Sequence, residues 1–385
     1  MHYEDYLGFY YYHGLLFHVQ MRDGALVSAL SGVPEGYEIV LEPLGGEQYR
    51  MRGGPADGLP FSFERDAGGK VYTIQAGPLQ VERISAEQAD RFPVIGRFPA
   101  PAVTYTPDKM AAFAALLAQA LEGNGGWLEY SLPYPKHEFV QYVTAQEVVI
   151  FHGSNDLNIE TFAPQRNSTE LYDISGRGNR LAVYGTHEGL WSMFFAVVDR
   201  PRLRGSIRNG VSYYYNRQGE KLALFNFSIN QEQLSEQPWC EGALYFLSLS
   251  VFERLELMPG ALSNEWASTQ EMRLLSKLRL SPADFPFLDV IEGHDDSLLI
   301  RVEEIGQAIR DAATRAELDG TTFTVWLPAG ALPAADLDYY LEKQAILMPA
   351  IRYERSEEGG QIKLVYANLP PAVKAQLAKK YADLL

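Results

Sequence analysis

Short apolar runs broken by turn residues dominate the first part of the chain. Leu15-Leu16-Phe17-His18-Val19-Gln20-Met21 is followed by Asp23-Gly24 and then by a second apolar run over 25–30. Gly45-Gly46, Gly53-Gly54-Pro55 and Gly68-Gly69 punctuate the next stretch, with Phe61-Ser62-Phe63 and Val71-Tyr72-Thr73-Ile74 alternating between them. Such spacing of turn residues between alternating segments signals successive antiparallel strands. Residues 1–85 are therefore expected to form an antiparallel β-barrel or sandwich.

From 86 to 147 the pattern turns helical. Thr106 can cap a helix that opens with Pro107, and Met110, Phe113, Leu117 and Leu121 make one apolar stripe before Gly123. Tyr130-Ser131-Leu132-Pro133-Tyr134-Pro135 is held extended by its prolines, and the segment from Lys136 can form a short helix carrying Phe139, Val140 and Val143 inward. This part reads as a helical linker region.

Strands dominate again over 148–280, with one helix near 191–198. Beyond Pro282 helix and strand patterns mix: Val302, Ile305, Ile309 and Ala312 stripe one helix, 321–327 reads as a strand, and Leu337, Tyr340 and Leu341 mark a second helix. Two strand runs then flank Gly359-Gly360 as a hairpin, and Val373, Leu377, Tyr381 and Leu384 stripe a last helix. Residues 281–385 are expected to be a small α+β accessory domain. The whole is a multidomain α+β chain, which suits 385 residues at roughly 100 to 200 residues per domain.

Charge narrows the partners. With 49 acidic against 33 basic residues the net charge is -16, which disfavours nucleic acid because an anionic surface gains nothing from releasing phosphate counterions. The start, Met1-His2-Tyr3-Glu4-Asp5, lacks a basic and apolar leader, and no run of about 18 apolar residues could span a bilayer, so no membrane partner and a cytoplasmic location are expected. The single cysteine, Cys240, allows no internal disulfide and no thiolate cluster, and reads as a small buried hydrophobe.

Three strand ends carry candidate chemistry. Val148-Val149-Ile150-Phe151 runs into His152-Gly153-Ser154; Leu181-Ala182-Val183-Tyr184-Gly185-Thr186 precedes an apolar helix; and Ser263-Asn264-Glu265-Trp266 forms the third. The Phe-His-Gly-Ser, Val-Tyr-Gly-Thr and Asn-Glu-Trp strands, the last with its trailing Arg273-Leu274-Leu275, resemble the signature strands of the His-Tyr-Glu ADP-ribosyltransferases, the class of poly-ADP-ribose polymerases and diphtheria-type toxins. The resemblance implies a central ADP-ribosyltransferase-like split β-sheet domain over 148–280 that takes NAD as substrate. It places His152 on the NAD ribose, Tyr184 under the nicotinamide ring and Glu265 as the catalytic carboxylate. Gly153 and Ser154 would lie beside the carboxamide, and Arg177 or Arg180 would meet the phosphates.

The chemistry accounts for these residue types. Cleaving the nicotinamide glycosidic bond develops positive charge on the ribose, which a nearby carboxylate stabilises while it orients the acceptor. A histidine donating to the adenosine ribose and an aromatic face under the nicotinamide turn binding into orientation. Position 263 is serine, so no Glu-x-Glu pair precedes the acceptor and the arginine-specific subclass is not expected. The acceptor stays open, a protein being one candidate, and an inactive nucleotide- or protein-binding module on the same fold is the alternative.

Other motifs have quieter readings. Ser175-Gly176-Arg177-Gly178 is too short for a phosphate loop and is expected as a flexible loop beside the cleft. His294-Asp295-Asp296 offers metal-type ligands, but neighbours on an extended chain point apart and no further ligand is near in sequence, so no metal is expected. His187-Glu188 lacks the helical spacing of a zinc site. The Gly8-Phe9-Tyr10, Arg22-Asp23-Gly24 and Pro43-Leu44-Gly45 segments resemble the small β-domain appended to serine β-lactamase-like hydrolases, without a Ser-x-x-Lys nucleophile in a suitable context.

Overall fold

The computed structural model describes residues 3–12, 15–34, 36–91, 97–165, 169–173, 177–216, 218–258 and 261–385. It is a mixed α+β chain whose three largest hydrophobic cores lie in successive parts of the sequence.

The first eight strands close into an antiparallel barrel: β1 (Gly8–Tyr12), β2 (Leu15–Arg22), β3 (Ala25–Ser31), β4 (Tyr37–Gly45), β5 (Gln48–Arg52), β6 (Pro60–Arg65), β7 (Val71–Ala76) and β8 (Leu79–Ile84). β1 pairs with both β2 and β8, so no edge is left, which decides for the barrel over the sandwich. The Asp23-Gly24 turn joins β2 to β3 with φ of 51° and 79°, the pair of left-handed residues that a tight hairpin needs. Tyr10, Phe17, Val19, Tyr49, Phe61 and Phe63 fill the interior, as side chains do in small barrels.

After α1 (Ala86–Arg91) and β9 (Phe98–Pro99) come α2 (Pro107–Leu121) and α3 (Lys136–Thr144). Thr106 caps α2 through its side chain, as the sequence indicates. The buried face, however, carries Lys109, Phe113, Leu116, Leu117 and Ala120, while Met110 and Leu121 are 47% and 41% exposed. The helix is rotated from the expected stripe because Lys109 can be buried at little cost. Its ammonium lies 2.6 Å from Glu138 of α3 and 4.8 Å from the centre of the Tyr134 ring. Phe113, Leu117, Phe139 and Val140 join the central core, so the segment expected as a linker is part of that unit.

The central unit continues with β10 (Val149–Ser154), β11 (Thr161–Phe162), β12 (Val183–Gly185), α4 (Gly189–Val197), β13 (Ile207–Tyr215), β14 (Lys221–Asn230), α5 (Gln231–Ser235), β15 (Gly242–Ser248), β16 (Glu253–Met258), β17 (Ala261–Ser268), β18 (Met272–Arg273), β19 (Ser276–Leu280) and β20 (Glu292–His294). They form small sheets in the orders β10-β15-β19, β12-β17-β16 and β13-β14-β20, with β9 beside β14 and β11 paired to β18. Helix α4 lies flat on β10 and β15. A Cβ on Gly153 would sit 1.8 Å from the Ser192 carbonyl oxygen, and one on Gly242 1.9 Å from that of Ala196, so only glycine admits the helix this closely.

The last unit comprises α6 (Ser297–Ala312), β21 (Arg315–Asp319), β22 (Thr322–Pro328), α7 (Ala334–Leu347), β23 (Arg352–Glu358), β24 (Gln361–Ala367) and α8 (Pro371–Lys380), with sheet order β21-β22-β24-β23. The hairpin around Gly359-Gly360 is present as expected. β21 is an edge strand of Arg-Ala-Glu-Leu-Asp in which only Ala316 is fully buried, too little apolar signal to be read from sequence.

The units are bonded to one another. Gly32 N–H donates to the Tyr213 carbonyl and Tyr213 N–H to that of Val33, joining barrel to β13 at 3.0 and 3.1 Å. Tyr172 N–H donates to the Leu347 carbonyl at 2.7 Å, joining the central unit to α7. No helix among the described residues is long and apolar enough to cross a membrane.

Candidate functional site

The site is built where β10 and β12 part. Phe151 and Thr186 exchange N–H to carbonyl bonds of 2.7 and 3.0 Å, the single bridge between these strands. One step further along an antiparallel ladder, Gly153 would meet Tyr184. The Tyr184 carbonyl instead lies 2.7 Å from Nδ1 of His152. A two-residue pleat turns the Gly153 N–H and carbonyl to the same edge as those of Phe151, the edge from which β12 has just departed.

A carbonyl only accepts, so Nδ1 of His152 carries the proton. Burial, aided by the Arg200 charge, holds this histidine below its ordinary pKa, against the pull of the Tyr184 carbonyl, and the ring is neutral. Nε2 is then an acceptor. A ribose hydroxyl at this position would be the donor, which reverses the role expected from sequence. The ring edge packs on Phe162 at 4.9 Å, and the Arg200 guanidinium sits over Phe195 at 5.8 Å. Arg200 was not singled out by any sequence motif. The Ser154 hydroxyl accepts the Asp156 N–H at 3.1 Å and closes the turn after the strand.

Tyr184 packs against Ala182, Leu255 and Ala267. Its hydroxyl accepts the Arg180 N–H at 3.1 Å and lies 3.1 and 3.2 Å from the Gly178 and Arg180 carbonyls. The ring is thus held at both ends. Tyr184 stands opposite Ala267 in the β12–β17 register, and Glu265 lies two residues before Ala267 on β17. The β12–β17 register ends with Gly185 opposite Trp266, one residue short of Glu265, while Phe151 of β10 bridges Thr186.

Glu265 is half-buried, and its N–H donates to the Ser263 hydroxyl at 3.0 Å. The residue before it is locked: Asn264 Nδ2 donates to the Pro34 and Val211 carbonyls at 2.8 and 3.0 Å, and its Oδ1 accepts from Arg254 at 3.2 Å. Tyr37 of the barrel accepts the Leu262 N–H at 3.1 Å. His187 bonds the Val149 carbonyl and meets the Trp266 ring edge-on, while Glu188 accepts from the Tyr213 hydroxyl.

Arg180 pairs through one terminal nitrogen with Glu253 at 2.9 Å, and its Nε and Nη2 have no hydrogen-bond partner. Arg177 lies in a 3-10 turn over Arg177–Asn179; its side chain, Ser175 and Gly176 lie outside the described residues. Sequence reasoning missed Asn179. It is fully buried, donating to the Glu170 carbonyl and the Asp173 carboxylate at 3.0 Å each and accepting the Glu170 N–H at 2.8 Å. Leu171 packs on the core of the last unit, and the Thr169 hydroxyl donates to Gln376 of α8 at 3.0 Å. The connection between β10 and β12 is therefore clamped to the C-terminal unit. No local pattern could announce a contact across more than 200 residues.

Cys240 is half-buried, not fully buried as expected, and burial pushes its thiol pKa up. An open cavity of about 550 Å³ lies in the C-terminal unit, lined by Leu341, Ala345, Pro349, Ile351, Tyr353 and Asn368 among others, and none of the three candidate residues borders it. Among the described residues no three His, Cys, Asp or Glu side chains are grouped to hold a metal. No family model, no curated protein and no solved structure matches the chain.

Proposed function

We infer that the central unit is an ADP-ribosyltransferase-like domain that binds NAD and cleaves its nicotinamide–ribose bond, passing ADP-ribose to an acceptor or to water. The observation that carries this reading is that His152, Tyr184 and Glu265, from segments up to 113 residues apart (265 minus 152), lie on β10, β12 and β17, with Nδ1 of His152 bonded to the Tyr184 carbonyl and β12 paired to β17. Glu265 would stabilise the developing positive charge on the ribose and orient the acceptor. The Tyr184 ring, fixed by its hydroxyl bonds, would support the nicotinamide, and the freed Gly153 backbone would bond the carboxamide beside Ser154. The unpartnered nitrogens of Arg180, with Arg177 on the same loop, suit the pyrophosphate.

Incubating the full chain with NAD and measuring nicotinamide tests this. Release that falls about 100- to 1,000-fold in Glu265→Gln is the expected result, the scale of losing a charge-stabilising group. Equal turnover in the two proteins rejects the reading. A binding module without catalysis is the second reading, favoured by the anchoring of Asn264 and the Tyr184 hydroxyl in protein contacts. It predicts a thermal shift with NAD and no nicotinamide.

A further inference from the structure

A second set of reactive side chains lies on a different sheet. Phe225, Phe227 and Ile229 of β14 point into the central core, so Ser228 between them points to the opposite face, where it is half-buried. His294, at the end of β20, places Nδ1 2.8 Å from the Ser228 hydroxyl and Nε2 2.8 Å from Oδ2 of Asp296. The His294 and Asp296 side chains are only 9% and 4% exposed. The sequence expectation of no metal at His294-Asp295-Asp296 rested on neighbouring side chains pointing apart, whereas the chain leaves β20 after His294 and brings Asp296 back to its ring.

Proton positions follow from the donors. Asp296 accepts the Ser206 N–H at 2.6 Å, the Ser206 hydroxyl at 2.9 Å and Arg208 Nη2 at 3.3 Å, besides His294. Burial opposes ionisation of Asp296, but the bonds from Ser206 and His294 outweigh it and hold the carboxyl below its ordinary range. An ionised carboxylate only accepts, so the proton facing it sits on Nε2 of His294. With that proton on Nε2, Nδ1 is the ring nitrogen that can accept, and the Ser228 hydroxyl is placed to donate to it. Ser206 Oγ is also 3.1 Å from Nε2, but its proton is committed to Asp296. Arg208 stands directly opposite Ser228 in the β13–β14 register, and its side chain is 57% exposed, so a cation borders the serine on the solvent side.

We propose that Ser228 is a nucleophile for small carboxylic esters, with His294 as its base and Asp296 as the residue that positions the base. In the first step the Ser228 proton passes to His294 Nδ1 as Oγ bonds the ester carbonyl carbon. The carbon–alkoxy bond then breaks, and the alcohol leaves with that proton. Water attacks the acyl-serine with its proton moving to Nδ1, the carboxylic acid departs, and Ser228 regains its hydrogen. Arg208 opposes the negative charge of the tetrahedral intermediates. The site lies on β14 and β20, and its activity does not depend on NAD.

The full chain treated with a fluorophosphonate probe, digested and mapped by mass spectrometry tests the proposal, alongside p-nitrophenyl acetate hydrolysis. The expected result is one adduct, on Ser228, with hydrolysis lost in Ser228→Ala and lowered about 100-fold or more in His294→Gln. Ser206→Ala should keep the adduct. Absence of a Ser228 adduct on protein with an intact melting transition overturns the proposal, as does an adduct on Ser206 instead, or hydrolysis equal in Ser228→Ala. Ser228→Ala removes one half-buried hydroxyl, so the comparison stands even if His294→Gln fails to fold.

Discussion

The Tyr184 carbonyl ends a ladder by bonding His152 Nδ1 at 2.7 Å, just beyond the one bridge that holds β10 to β12. A side chain takes over a main-chain bond, and the Tyr184 carbonyl keeps a partner where the strands separate. Replacing His152 with alanine should orphan that carbonyl and cost about 1 to 3 kcal/mol. His152→Gln can still donate and should cost less. Denaturant titration of both variants measures the difference, and equal losses would contradict the role assigned to Nδ1.

His137, His152 and His187 are all held below the ordinary histidine value of 6.5, burial being the largest cause in each. The unfolded chain then binds more protons than the folded one, so the stability these groups contribute is complete above the unfolded pKa and is lost as pH falls below it. The melting temperature should drop on acidification from about pH 7.5 to 5.5, less steeply in His152→Gln. Parallel pH profiles for the two proteins would remove His152 from the account.

Gly153→Ala asks for a Cβ 1.8 Å from a helix carbonyl that cannot swing away. Either α4 shifts or β10 does, and a loss of about 3 kcal/mol or more is expected. Soluble expression and the melting temperature report it. A variant as stable as the parent would mean that α4 does not rest on the strand as described.

Asn179→Ala removes three hydrogen bonds at a fully buried position, leaving the Glu170 N–H and carbonyl without those partners. A loss of about 2 to 3 kcal/mol is expected, with faster hydrogen exchange over 169–173. If NAD is the substrate, its KM should rise more than kcat falls, since the change loosens Arg180 and Tyr184 without touching Glu265. Unchanged exchange in the segment would show that Asn179 does not hold it.

Lys109 and Glu138 bond at 2.6 Å with little exposure, so removing one partner strands the other. Lys109→Met should destabilise by about 3 kcal/mol, and adding Glu138→Gln should recover part of it. A double-mutant cycle by thermal unfolding gives the coupling, and additive losses would refute it.

The antiparallel N-terminal β unit, left open as barrel or sandwich, and the start of α2 were legible because their signals are local. Asp23-Gly24 can only be a tight turn, and Thr106-Pro107 marks a helix start. The buried face of α2 was misjudged because a lysine counts as polar until its partner on another helix is known. The three short motifs were expected at strand ends, but His152, Tyr184 and Glu265 lie inside β10, β12 and β17. What could not be read was which atoms those motifs engage. The histidine's acceptor nitrogen follows from the tertiary position of one carbonyl, and the clamp on 169–173 from contacts with a unit that begins beyond residue 280.

Asn264 reaches across to Pro34, and Tyr37 reaches back to Leu262, so the strand bearing Glu265 is aligned by a barrel more than 200 residues earlier in the chain. Cutting away the first 85 residues would leave that amide to bargain with water for its lost carbonyl, one position from the carboxylate. A fragment made to isolate the NAD chemistry would carry its key glutamate on a strand that had lost its ruler.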